Sequence, residues 1–199
     1  MKIKWNEKLT STDNMFGSCS SILSIDLSNF DASSVINMRS MFSFCTSLTS
    51  IDFSYFDTSS VINKENMFHY CISLISLDLS INTSSVENMG KMFIMSCYSL
   101  QSLYFSSFNT SSVKYMNAMF KQCKSLLSLD LSKFNTLKVE NMDSMFDDCE
   151  SFTSLNLSNF DISSVKELKY FIYSPLRTLD LSNFKTNSSD IFIKFYFLI

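Results

Sequence analysis

Six cysteines, Cys19, Cys45, Cys71, Cys97, Cys123 and Cys149, stand 26 residues apart, and the chain has no others. Five equal intervals make the chain an internal repeat. A period of this length belongs to stacked-repeat architectures, in which each unit buries its apolar face against its neighbours. One clear copy runs from Met41 to Val61. Within it Leu48, Ile51, Phe53 and Phe56 are spaced as Leu-x-x-Leu-x-Leu-x-x-Phe, and residues 50–54 alternate polar and apolar as a half-buried strand does. Equivalent positions recur as Ile22/Ile25/Leu27, Leu74/Leu77/Leu79, Leu100/Leu103/Phe105, Leu126/Leu129/Leu131, Phe152/Leu155/Leu157 and Leu176/Leu179/Leu181.

A Ser/Thr/Asp cluster such as Asp31-Ala32-Ser33-Ser34 follows each strand and has the composition of a helix N-cap. Val35, Met38, Met41, Phe42 and Cys45 then recur at helical spacing. The period lies within the leucine-rich-repeat range of roughly 20 to 29. The expected fold is therefore an α/β repeat: a leucine-rich-repeat solenoid of about seven 26-residue rungs, with one parallel β-sheet and short helices on the opposite side. Only two glycines and one proline are present, which suits corners built from Ser, Asn, Asp and Thr bonding their own backbone.

One pair of irregularities tests the register. The corner Leu79-Ser80-Ile81-Asn82-Thr83 is one residue short, and Met92-Phe93-Ile94-Met95-Ser96-Cys97 is one residue long. Val61 to Val86 is 25 residues and Val86 to Val113 is 27, while the cysteines keep 26. The expectation is that strands and cysteines hold register while the outer side slips, because a slip in a strand would turn apolar side chains to solvent.

Phrases such as Ser24-Ile25-Asp26-Leu27-Ser28-Asn29-Phe30-Asp31 and Asn141-Met142-Asp143-Ser144-Met145-Phe146-Asp147-Asp148-Cys149 resemble the BspA-type leucine-rich repeats of surface proteins, seen also in mycoplasma lipoproteins. The resemblance covers about residues 11–186 and implies a cell-surface or extracellular location and the binding of protein or extracellular matrix. One solenoid over residues 1–199 is expected, with 187–199 an apolar C-terminal tail. The chain enters midway through a unit, so it reads as a fragment of a longer protein. No signal-peptide h-region opens it, and no apolar stretch approaches the roughly 18 residues of a membrane span. The net charge of −3, without a basic run, argues against nucleic acid.

The cysteines admit three readings. A metal site needs four convergent ligands, whereas residues one rung apart form a line. Disulfides between rungs about 4.8 Å apart fit the usual Cα range. Placement beside Met-Phe and Leu positions favours the third reading, six reduced, buried thiols packing as small apolar residues. His69, the single histidine, sits at a variable position and is expected in solvent, diverging from Cys71. Gly17 and Gly90 cannot form a phosphate-cradling loop. No enzyme chemistry, metal or cofactor is expected. The candidate ligand-binding face is the outward strand ladder of Asp26, Asp52, Asp78, Tyr104, Asp130, Asn156 and Asp180, with Tyr104 as local anchor. The alternatives are a structural spacer within a longer surface protein and an intracellular protein-binding scaffold.

Overall fold

The computed structural model describes residues 8–96, 98–186 and 196–197. Nine short strands occur among them: β1 (Ser24–Asp26), β2 (Ser50–Asp52), β3 (Ser76–Asp78), β4 (Ser102–Tyr104), β5 (Phe146–Asp147), β6 (Ser154–Asn156), β7 (Ile172–Ser174), β8 (Thr178–Asp180) and β9 (Tyr196–Phe197). All pairs are parallel: β1 with β2, β3 with β4, β6 with β8, and β5-β7-β9 in a three-stranded sheet. Ser24 faces Ser50 and Ser76 faces Ser102, so successive rungs stack one repeat apart. A second parallel ladder of single bridges runs Ser11, Asn37, Asn63, Asn88, Tyr115, Asn141, Glu167.

The expected α/β solenoid is not what forms. No helix occurs among the described residues; the expected sheet forms only as the pairs β1-β2, β3-β4 and β6-β8, and a fourth small sheet, β5-β7-β9, begins where a helix is expected. Where helical spacing predicts a helix, Met38 to Cys45 makes consecutive tight turns: Met41 N–H bonds Met38 O, Ser43 N–H bonds Ser40 O, and Cys45 N–H bonds Phe42 O. Ser40 and Phe44 take the left-handed conformation, at φ 55° and 60°, and the pair recurs at Asn66/Tyr70, Lys91/Met95, Ala118/Gln122 and Ser144/Asp148, with Tyr170 alone in the last rung. The alternate N–H groups of Met38, Ser40, Phe42 and Phe44 reach across to Asn63, Glu65, Met67 and His69 carbonyls of the next rung.

The physical reason is spacing. Phe16, Phe42, Phe68, Phe93, Phe120 and Phe146 stack face to face at centroid distances of 5.5–5.7 Å. Rungs bonded backbone to backbone advance about 4.8 Å, whereas packed helices need about 8–10 Å between axes. A helix would separate those rings and forfeit the bridge ladder on its side. The apolar residues three and four apart serve the turns as well as they would serve a helix.

Val35, Met38, Met41, Phe42, Cys45 and Leu48 and their equivalents form one continuous core along the stack. Corners follow the expected chemistry: Asp31, Asp57, Asn82, Asn109, Asn135 and Asp161 each accept the N–H two residues on. Among the described residues no helix is long and apolar enough to cross a membrane. Of the tail, Tyr196 and Phe197 pair with Tyr173 and Ser174, while 187–195 and 198–199 lie outside the described residues.

The register expectation needs correction. The left-handed pairs run 66/70, 91/95 and 118/122, so the slip carries through the whole turn region. Ser96, fully buried with its N–H on Phe93 O, occupies the slot that Cys71 and Cys123 hold with N–H on Phe68 O and Phe120 O. The 26-residue cysteine spacing therefore hides a substitution: Ser96 stands in the ladder position of that rung. Cys97 lies outside the described residues.

Candidate ligand-binding face

All seven ladder residues, Asp26, Asp52, Asp78, Tyr104, Asp130, Asn156 and Asp180, are exposed, as period-2 alternation around buried or half-buried Ile25, Ile51, Leu77, Leu103, Leu129, Leu155 and Leu179 requires. Strand pairing places Asp26 beside Asp52, Asp78 beside Tyr104, and Asn156 beside Asp180. Residues 128–130 form no strand, so Asp130 is not paired into the ladder.

Most of these side chains have a local task. The Oδ1 atoms of Asp26, Asp52, Asp130, Asn156 and Asp180 accept the backbone N–H of Ser28, Ser54, Ser132, Ser158 and Ser182 at 2.9–3.0 Å. Each closes the turn that follows it, the Asx geometry available to a short carboxylate or amide. In Asp26, Asp52 and Asp130 the serine hydroxyl, then its N–H, holds the carboxyl below its ordinary value. In Asp180 the order of the two is reversed. Hydrogen bonding to the charged form is the cause in all four.

Two neighbours depart from this. Asp78 instead accepts the Ser106 hydroxyl of the next rung at 3.3 Å. Tyr104, which carries no carboxylate to close a turn, is 58 % exposed. The short corner at Ile81 follows Asp78 directly, and this explains why its turn differs. The repeat alone could not reveal this division of the ladder into turn-closing and spare residues.

Cys19, Cys45, Cys71 and Cys149 are free, but Cys123 is disulfide-bonded, so the expectation of six reduced thiols fails. Burial pushes the Cys45 thiol up to about 11 and the Cys149 thiol to about 12, and raises that of Cys71 further. Their sulfurs donate to Phe16, Phe120 and Phe42 carbonyls of the preceding rung at 3.0–3.1 Å. His69 is half-buried rather than in solvent. Its ring packs 4.8 Å from Phe44, and Nδ1 lies 3.4 Å from Ser43 Oγ. Burial, then Lys91, lowers its pKa.

A helix-free stack of short parallel strands and left-handed turns defines the chain as a repeat protein. The family model described as a Mycoplasma protein of unknown function, DUF285, matches residues 3–103 and 77–184, and the chain belongs to that family. No curated protein and no solved structure matches it.

Proposed function

We propose that the chain is a non-enzymatic interaction module of the cell surface, in keeping with its resemblance to BspA-type surface proteins, and that it binds a host protein or extracellular-matrix ligand through its outward strand face. One observation carries the reading. Asp78 and Tyr104 are adjacent, exposed and spared the turn-closing role that occupies the other acids. The exposed tyrosine, a residue type favoured at interface anchors, offers a large rigid contact surface, and the carboxylate beside it offers a charged acceptor.

The spacer reading has its own support, since five of the seven ladder residues serve their own corners. Exchanging Tyr104→Ser and Asp78→Lys separates the two. Neither side chain enters the core, so circular dichroism should be unchanged. Loss of adherence to host cells or matrix proteins supports the binding face, whereas undiminished adherence assigns the chain to the spacer role.

A further inference from the structure

Thr83, Thr110 and Thr136 each make a reciprocal clasp with the next rung. Their hydroxyls donate to the carbonyls of Asn109, Asn135 and Asp161 at 2.8–2.9 Å. The same oxygens accept the backbone N–H of those residues at 2.7–2.8 Å. All three threonines are buried, so the clasp satisfies hydroxyls that have little access to water. Thr58 is the equivalent residue one rung earlier, and its hydroxyl donates to Asn82 O at 2.6 Å. Here the partner corner is the short one. The oxygen of Thr58 accepts not from Asn82 N–H but from the ammonium of Lys64, at 3.1 Å, and Lys64 also donates to Asn82 O at 3.0 Å.

Lys64 occupies a position held elsewhere by Met38, Met89, Met116, Met142 and Leu168, and it is fully buried. The exchange of an apolar residue for lysine thus falls on the rung that faces the one-residue deletion. We infer that Lys64 is a compensating residue, its Nζ replacing the backbone N–H that the shortened corner withdraws from Thr58, and that this joint between rungs is sensitive to protonation.

No titratable group faces the ammonium from the packed elements. Thr58, Asn82 and the flanking Met38 and Met89 present none, and the neighbouring acids are engaged elsewhere: Asp57 by Ser59 N–H, Glu65 by Arg39 and Lys91. Burial without a counter-charge lowers the amine from 10.5 to about 7. Between those values the unfolded chain binds more protons than the folded one, so this site adds stability as pH rises through that window.

The test compares four proteins by thermal melting: wild type, Lys64→Met, one Asn inserted between Ser80 and Ile81, and both changes together. Insertion restores the regular corner and its N–H donor. It should raise the midpoint by about 5 °C in the Lys64→Met background, yet lower it in wild type, where Lys64 loses its acceptors. Insertion effects that simply add to that of Lys64→Met overturn the inference. The midpoint of Lys64→Met relative to wild type, which needs no insertion variant, should be higher at about pH 6 than at about pH 8.5. An equal difference at the two pH values would show that the joint does not respond to protonation of Lys64.

Discussion

The rungs from Thr110 to Cys149 and those from Thr58 to Ser96 solve one stacking problem differently. In the first, each corner has its full length, each buried threonine is clasped by backbone on both sides, and cysteine fills every slot before the return to the strand. In the second, a residue is missing at Ile81 and regained after Met95. A lysine replaces a core methionine, and Ser96 replaces a cysteine with its hydroxyl on its own rung's Phe93 carbonyl at 2.6 Å. The difference teaches that the ring stack and the bridge ladder are the inflexible parts. Phe68, Phe93 and Phe120 keep 5.6–5.7 Å and near-parallel planes straight through the defect. The polar corners absorb the change.

The comparison breaks hardest if the ring stack itself is cut. Phe120→Ala, in the regular half, should cost about 3–5 kcal/mol, since a fully buried ring between two stacked neighbours leaves a cavity that backbone-bonded rungs cannot close. Chemical denaturation measures it, and a loss under about 1 kcal/mol would mean that the rungs can collapse onto one another.

Next in size is the clasp. Thr136→Val takes the partner from both the N–H and the carbonyl of half-buried Asp161, about 1–3 kcal/mol. Thr58→Val should cost less, because Lys64 still reaches Asn82 O. Equal losses in the two variants would erase the distinction between the halves.

A smaller effect appears in acid. The carboxyls of Asp26, Asp52, Asp130 and Asp180 lie below their ordinary value when folded. Their contribution is therefore complete above about pH 4 and is lost as pH falls through the folded-state values. Asp130→Asn should keep its turn, as Asn156 does, and reduce the acid sensitivity of the melt. An unchanged acid profile would show that the corner does not depend on charge.

The smallest expected effect is on stability at Tyr104. Its replacement by Ser should leave the midpoint within about 0.5 kcal/mol of wild type, since its side chain is exposed. A marked destabilisation would show that the ring packs on the face and is not spare.

The candidate ladder was legible as a row of outward side chains because a strand's period of two fixes which residues face out. Its division was not legible. That Asp52 closes its own turn while Asp78 does not depends on where Ser54 and Ser106 lie in three dimensions. The cysteine ladder carried a similar trap. Equal spacing in the chain does not mean equal position when a deletion and an insertion lie between the markers. Only the hydrogen bond from Ser96 N–H to Phe93 O shows which residue fills the slot.

The sequence by itself determined the repeat, its period, the inward row of Leu, Phe and Met, and the Asn/Asp/Ser/Thr corners, because these follow from side-chain chemistry repeated at a constant interval. Only the tertiary structure decided that Met38 to Cys45 is a run of tight turns hinged at left-handed Ser40 and Phe44 and not a helix. An apolar residue every three or four positions satisfies either geometry. The choice falls to the neighbouring rung, which lies one backbone hydrogen bond away and leaves no room for a helix to stand between them.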